Sequence, residues 1–360
     1  MKETNPPDRL GQTLISDLHE ADMRQSVREE LRDVYEYYLD QETRDELQQM
    51  GRMSRWLHLT GWLVKASILR LSRPRRVLFV LSLGMFLGGL LSSLVWVVPG
   101  SLIVTFILLL ELKDKLLAQD RLLTGRAVQL ALMPRENPAI AGWETWLYTR
   151  PAREVGGDLV DYLHVENHLQ LALGDVSGKG IGAALLMAQA QSTLRAIAPR
   201  TDSLSVLVSE LNSILRRDGL PGHFMSLVYL ELTASSGKVK LINAGHMPPF
   251  VVGRHRLEEL PKGGAALGLM EVLSLDEQTV DVRPGDVIVI YSDGLTEARN
   301  VERSFFERER LLGVLASLEG LSARSAGQRL LHAVEDFTEG AEQSDDLSLI
   351  VLKRLAPELP

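Results

Sequence analysis

The sequence predicts an α+β fold, in which strands cluster with helices between them and do not alternate regularly with helices as in a parallel sheet. Apolar runs of strand type lie at residues 169–173, 287–292 and 347–352. Between the first two runs, residues 182–198 and 204–216 have the composition and apolar spacing of helices. An uncharged run over residues 77–110 predicts a separate helical region before this fold.

The composition sets limits on function. The chain has 360 residues, which leaves room for more than one domain, and a formal net charge of -8. This negative balance gives no support for nucleic-acid binding. The absence of cysteine excludes disulfides, a thiolate metal site and a cysteine nucleophile.

Residues 1–55 are predicted to form an N-terminal helical region. Apolar residues recur there at steps of three and four from Leu10 to Met50, as in amphipathic helices that pack on another surface. The same pattern also fits an input or docking module. The Met1 end lacks a basic stretch followed by an apolar core, so we expect no cleaved signal peptide.

Residues 56–76 are predicted to form a basic amphipathic interfacial segment. Trp56 and Trp62 lie among leucines and basic residues such as Lys65 and Arg70. Tryptophan and basic side chains on an apolar helix are typical of a membrane interface. An amphipathic helix of a soluble protein would also have this pattern.

Residues 77–110 carry no charge and are predicted to form a transmembrane hairpin. One crossing needs about 20 residues, and Pro99-Gly100 offers a place for the chain to bend. Basic residues flank both ends of the run, which favours an even number of crossings with both flanks cytoplasmic. A single tilted span is the alternative and would separate the two halves of the chain.

Residues 111–134 are predicted to form a linker helix. Leucines recur every seven residues and form a stripe that favours pairing with another helix; they are Leu109, Leu116, Leu123 and Leu130. This stripe predicts a homodimer contact, and the alternative is a helix packed on its own C-terminal domain. Pro134 and Pro138 end the helix.

Four clusters of acidic residues lie where strand-like runs begin or end. They are residues 154–161, Gly174-Asp175, residues 292–297 and Ser344-Asp345-Asp346. A single aspartate at a strand end is an ordinary turn former. Four such clusters are better explained if the strand ends gather their acids around hard cations, which prefer oxygen ligands.

The order of these blocks resembles a known family. PA-x-EVGGD, GDVSGKG, NAGH-x-PP, PGD-x-x-x-x-YSDG-x-x-E and SDD-x-S follow one another from about Val128 to Leu352. This is similar to the stage-II-sporulation-E/RsbU-type phosphatases, the bacterial branch of the metal-dependent PP2C (PPM) serine/threonine phosphatases. The resemblance implies a phosphatase domain over residues 135–355, built as two antiparallel sheets packed face to face. Helices would cover both outer faces, and the metal site would lie at one edge.

The resemblance also implies the site residues. Asp175 would bridge two divalent cations, Mn²⁺ or Mg²⁺, that activate a water nucleophile. The remaining metal ligands would be Asp158, the backbone carbonyl of Val176, Asp293 and Asp345. Residues that would support these ligands or meet the substrate are Arg153, Lys179 and Asp346, together with Glu154, Asp161 and Glu297. Capping or solvated roles fit these six residues as well.

The sequence departs from the eukaryotic enzymes at one position. They have a histidine two residues after the bridging aspartate, where this chain has Ser177, so the acid that protonates the leaving group stays open. Lys179 stands where many relatives have histidine; it could meet substrate phosphate or be a solvated lysine of a turn. We interpret His246 of the NAGH block as structural.

The resemblance predicts that a phosphorylated serine or threonine on a regulatory protein, of the anti-sigma-factor antagonist type, is the substrate. The alternative is a degenerate phosphatase domain that acts as a scaffold; retention of Asp158, Asp175, Asp293 and Asp345 argues against it. A metal-dependent phosphodiesterase fits the block order less well. The predicted location is the bacterial inner membrane, with the N-terminal region and the phosphatase domain cytoplasmic.

Overall fold

The computed structural model describes residue 68 and residues 71–91, 94–234 and 236–356. The predictions for residues 1–55 and for most of residues 56–76 lie outside the described residues. The chain divides into two compact units, one ending at Lys115 and the other beginning at Leu116.

The first unit contains a helical hairpin. Helix α1 (Arg73–Leu91) is followed by a short 3-10 turn at Leu94–Trp96 and by α2 (Val97–Leu132), which continues past the end of this unit. The Arg75 guanidinium lies 2.6 Å from carboxylate oxygens of both Glu111 and Asp114. Pro99 lies in the first turn of α2, where its missing N–H has no helical partner to lose.

Over the described residues, no helix is long and apolar enough to cross a membrane. This finding contradicts the predicted transmembrane hairpin over residues 77–110. The uncharged run is divided between α1, which begins with three arginines in its first turn, and α2, which carries Glu111, Lys113 and Asp114 in its middle. Each uncharged limb is therefore shorter than the ~20 residues of one crossing. The predicted location at a bacterial membrane stays a prediction.

The second unit contains two five-stranded sheets in which every pair of neighbours is antiparallel. In spatial order, the strands of the first sheet are β1 (Trp143–Arg150), β10 (Leu347–Arg354), β9 (Val287–Tyr291), β6 (Phe250–Gly253) and β7 (Arg256–Glu259). Those of the second sheet are β2 (Leu159–Val165), β3 (His168–Val176), β4 (Met225–Thr233), β5 (Lys238–Ala244) and β8 (Gln278–Asp281).

Helices cover the outer face of each sheet. The helices α3 (Ile181–Ile197) and α4 (Leu204–Asp218) share an apolar core with the second sheet. A short helix α5 (Asp293–Thr296), α6 (Glu307–Leu315) and α7 (Ala323–Thr338) do the same for the first sheet. A third core lies between the two sheets.

The alternation of side chains along a strand accounts for these layers. In β10, Ile350 and Leu352 point into the core between the sheets, whereas Leu349 and Val351 face α6 and α7. All four are fully buried, which explains why the sequence shows a continuous apolar run rather than an alternating one. The predicted α+β sandwich with two helical layers is confirmed.

Candidate active site

The four acidic clusters lie at strand ends of both sheets. Asp158 immediately precedes β2, and Asp175 lies near the end of β3, where Leu159 pairs with Gly174. Asp293 begins α5 directly after β9, and Asp345 lies just before β10. The N–H of Ser292 donates to the carbonyl of Ser348 over 3.0 Å, which holds the ends of β9 and β10 together.

The charges of neighbouring carboxyl groups add to burial and raise the pKa of three members of this set, Asp158, Asp175 and Asp293. Burial, and then the charges of Asp293 and Asp345, raise the pKa of Asp175 to about 7. Burial, and then the charges of Asp345 and Glu297, raise the pKa of Asp293 to about 6. Mutual repulsion of this kind favours either a shared proton or a bound cation.

Asp158 is the most deeply buried member of the set. Its side chain is 2% exposed, and burial, followed by the charge of Asp175, raises its pKa well above the usual range. Its Oδ2 atom is buried and has no hydrogen-bond partner. A buried carboxylate oxygen without a partner is costly, so a ligand outside the protein chain is the simplest explanation for it.

Asp346 plays a different part from its neighbour Asp345. It accepts hydrogen bonds from the backbone N–H groups of Gly157 at 2.6 Å and Ala152 at 2.8 Å. A β-carbon on Gly156 would collide with the Asp346 carboxylate, which explains the glycine there. Asp346 therefore fastens the loop before β2 to the segment before β10.

Asp161 is paired within the protein. Both of its oxygens accept from Arg195 of α3, at 2.8 and 2.7 Å, and its side chain is almost fully buried. This bidentate pair links β2 to α3. Of the remaining acidic candidates, Glu297 raises the pKa of Asp293 through its charge.

Two cationic side chains line the same cleft as Asp175 and Asp345. They are Arg153 and Lys179. The Lys179 ammonium lies 2.8 Å from Asp345 Oδ2 and 3.2 Å from the carbonyl of Ser344, with half of its side chain exposed. Lys179 is thus ion-paired with one of the predicted metal ligands, a contact that neither of its two sequence interpretations included.

The geometry supports the structural interpretation of His246. Its Nε2 lies 3.2 Å from the Tyr291 carbonyl, which can only accept, so Nδ1 accepts from the Ser226 hydroxyl at 2.7 Å. Burial lowers the pKa of His246 to about 4. The imidazole is therefore neutral and uses both ring nitrogens to join β4 to β9. Ser177 accepts from the Phe224 N–H at 2.9 Å.

Sequence reasoning missed Gln129 and Arg195. Gln129 is 4% exposed near the end of α2, and its side chain hydrogen-bonds to Gly156 in the loop before Asp158. In the sequence, both residues look like ordinary polar positions of helices. A polar residue on the apolar face of a predicted helix, where burial requires a partner, is the signal that could have marked Gln129. Arg195 is half exposed and gives no such signal.

The donor set fits hard divalent cations. It consists of carboxylates and one carbonyl: a β-carbon on Gly157 would lie 3.0 Å from the Val176 carbonyl and 3.2 Å from Asp175 Oδ1, so the glycine leaves this space open. Among the described residues, no three acidic or histidine side chains lie close enough together to hold a metal ion in their present positions. Mg²⁺ and its analogues commonly keep several waters and bind through one or two carboxylates, so a closed cage is not required.

Comparisons with known proteins agree with this geometry. The family model described as stage II sporulation protein E (SpoIIE) matches residues 166–355. Protein IcfG of Synechocystis is 29% identical over 64% of this chain, which covers 41% of IcfG. The phosphoserine phosphatase RsbU of Bacillus subtilis is 26% identical over 63% of this chain, which covers 68% of RsbU.

Among solved structures, the fold is similar to the SiaA PP2C domain of Pseudomonas aeruginosa. The TM-score is 0.60 at 18% identity, and the match covers 68% of this chain and 99% of that domain. At this identity the likeness supports the fold alone. The chain spans less than half of the length of IcfG, so the activity of the whole relative does not follow from the match.

Proposed function

Because the chain belongs to the stage II sporulation protein E family through a match to residues 166–355 of its 360, we propose that it is a metal-dependent PP2C-type protein serine/threonine phosphatase. Its reaction would be hydrolysis of the phosphate monoester of phosphoserine or phosphothreonine on a regulatory protein. One observation carries the proposal: mutually repelling carboxyl groups from both sheets gather at one edge, with a buried oxygen of Asp158 unpartnered.

Two divalent ions, Mn²⁺ or Mg²⁺, would supply a shared water of lowered pKa and would offset the charge of the phosphoryl oxygens. The residues that would hold them are Asp175, Asp158, Asp293, Asp345 and the carbonyl of Val176. These residues fit because four carboxylates supply the negative charge that such ions neutralise. Asp346 would keep Asp158 in place through the loop that it binds.

Arg153 and Lys179 would meet the phosphoryl group, since both line the cleft that contains Asp175. A guanidinium can donate two parallel hydrogen bonds to phosphate oxygens, whereas an ammonium acts as a point charge. His246 does not supply the leaving-group proton in this proposal, because it is neutral, buried and hydrogen-bonded through both nitrogens.

The substrate class follows from the relatives. RsbU is called a phosphoserine phosphatase, and we extend that chemistry to this chain, with an anti-sigma-factor antagonist type of protein as the substrate. We also propose that the linker helix pairs with a second copy. Leu109, Leu116, Leu123 and Leu130 are each about half exposed, so nothing in the described part of the chain covers the stripe with seven-residue spacing.

Phosphate release from a phosphoserine protein tests the proposal. We expect the full-length protein to release phosphate when Mn²⁺ is added, and Asp175→Asn to lose this activity while it keeps its fold. Hydrolysis that is equally fast after chelation of metal would refute the mechanism. Inactivity of a protein that still binds Mn²⁺ would favour the scaffold alternative, because the ligands would then be intact without a reaction.

A further inference from the structure

The last turns of α2 contact the loop that carries Asp158. The Gln129 side-chain amide donates from Nε2 to the Gly156 carbonyl over 2.7 Å, and its Oε1 accepts from the Gly156 N–H over 3.0 Å. One side chain thus satisfies both backbone groups of one residue. All of the atoms involved are buried, so water does not offer either group an alternative partner.

The loop is held from two sides. Gln129 binds Gly156, and Asp346 binds the next N–H group, that of Gly157. Asp158 follows directly, and its Oδ2 atom has no hydrogen-bond partner of its own. The backbone before Asp158 therefore contributes to the position of this carboxylate, and Gln129 supplies two of the hydrogen bonds that fix this backbone.

Opposite faces of α2 have different surroundings. Gly125, Gln129 and Met133 recur every four residues at the end of the helix and so lie on one side. A β-carbon on Gly125 would contact Val155, and Met133 belongs to the core beneath the second sheet. Leu123 and Leu130 lie on the opposite side and are exposed. Gln129 is the polar residue among these three, and its amide donates one hydrogen bond to Gly156 and accepts one from it.

We infer that Gln129 is a positioning residue for the metal centre: its two hydrogen bonds to Gly156 hold the Asp158 loop in place and thereby set the affinity for the divalent cation. The inference rests on the proposed function, since it assumes that Asp158 is a ligand. Residues that orient a metal ligand typically change metal affinity by about 10- to 100-fold when they are replaced. We expect a loss in this range.

The test compares Gln129→Met with Gln191→Met in the full-length protein. Gln191 of α3 is a matched control, because it is 3% exposed and donates to the end of the same helix, at the Leu132 carbonyl over 2.8 Å. It has no hydrogen bond to the loop before Asp158. Both variants remove a buried side-chain amide, one that belongs to α2 and one that is bound to its end. Only Gln129→Met removes the contact to Gly156.

Two readouts separate positioning from general loss of stability. The Mn²⁺ dissociation constant is measured by calorimetry, and amide hydrogen exchange is followed over residues 154–160. We expect Gln129→Met to bind Mn²⁺ about 10- to 100-fold more weakly and to exchange faster in this loop. Gln191→Met should keep the Mn²⁺ affinity and the loop exchange of the unmodified protein, even if its unfolding temperature falls.

Each outcome decides the inference. Unchanged Mn²⁺ affinity in a folded Gln129→Met protein overturns it, and so does an equal loss in Gln191→Met. If Gln129→Met does not fold, Gln129→Glu is decisive: it keeps the size and the acceptor for the Gly156 N–H but removes the donor, and unchanged affinity would overturn the inference. If the unmodified protein does not bind Mn²⁺, the proposed metal centre is refuted, and with it the effect of Gln129 on metal affinity. Faster exchange in Gln129→Met alone would then show only that Gln129 holds the loop.

Discussion

Asp158 and Asp161 lie three residues apart around the start of β2, and both side chains are 2% exposed. Both oxygens of Asp161 are bound by Arg195. Oδ2 of Asp158 has no partner, and the nearest charges are other carboxylates, which raise its pKa. Two buried acids three residues apart thus have opposite electrostatic surroundings.

The same contrast recurs at the start of β10. Asp346 uses its carboxylate on the backbone of the loop before β2, whereas Asp345 faces Asp175, Asp293 and the Lys179 ammonium. Asp161 and Asp346 are satisfied by the fold itself. The charges that act on Asp158, Asp175 and Asp293 are mostly negative, and Asp345 adds to them although it is itself paired with Lys179. The partners of an acid, rather than its burial, distinguish the two sets.

Replacing Asp158 by asparagine should give the largest effect on activity. We expect Mn²⁺-dependent phosphate release to fall by about 100-fold or more, because a ligand is lost. The metal-free protein should become more stable at pH 8, by about 1–3 kcal/mol, because a buried unpartnered charge is removed. Activity assays and chemical unfolding of the same preparation measure both effects, and a less stable protein would contradict the assignment.

Replacing Asp161 by asparagine should have the opposite effect. The free energy of unfolding should fall by about 1–3 kcal/mol, less than for a fully buried ion pair, because the Arg195 side chain is half exposed. The kcat of the folded fraction should stay close to that of the unmodified protein. If activity at saturating Mn²⁺ disappears while the fold is retained, Asp161 belongs with the unsatisfied acids and the comparison fails.

The pH dependence of stability should reveal the unsatisfied set. A carboxyl group whose pKa is raised in the folded state stabilises the protein at low pH, and this contribution is lost as the pH rises through the raised value. For Asp293 and Asp175 these values are about 6 and about 7. Without metal, the unfolding temperature should therefore fall as the pH rises from the ordinary aspartate pKa of 3.8 to about 7, by roughly several degrees, and Mn²⁺ should reduce or reverse this fall.

The control for this prediction is Asp175→Asn, which should have a flatter pH profile. His246 contributes in the opposite direction, because its pKa is lowered to about 4 by burial and its stabilising contribution increases with pH. This contribution is the same in both proteins and cancels in the comparison. Identical slopes for the two proteins over this range would contradict the raised pKa of Asp175.

Much of the fold could be predicted from the sequence. The strands at 287–292 and 347–352 are buried on both faces, so side chains of both faces contact an apolar core. This explains why their sequences are continuous apolar runs, which could be recognised. The acidic clusters at strand ends could also be located. The sequence failed where the outcome depended on partners far away in the chain: nothing local distinguishes Asp345 from Asp346, or Asp158 from Asp161.

The linker helix shows the same limit. The leucine stripe, which was predicted to pair with another helix, lies on the exposed face of α2. On the buried face, the polar contact is made by Gln129, and its partner Gly156 is 27 residues away in the sequence. The transmembrane hairpin failed for another reason. Two helices were predicted for residues 77–110 and two helices form, but each also includes charged residues, so neither has an uncharged stretch long enough for a crossing.

The smallest expected effect concerns Lys179, the cation nearest to the unsatisfied acids. Its ion pair with Asp345 is half exposed on the lysine side, so Lys179→Met should change the free energy of unfolding by less than about 1 kcal/mol. The ammonium competes with a metal ion for Asp345, so Mn²⁺ should bind about two- to fivefold more tightly in the variant. The KM for the phosphoprotein should increase if the same ammonium meets the phosphoryl group. Lys353→Met is the control, because Lys353 is a partly buried lysine of β10 whose ammonium has one carbonyl contact, at Gly320. Equal Mn²⁺ affinity and KM in the two variants would show that Lys179 is an ordinary solvated lysine of a turn.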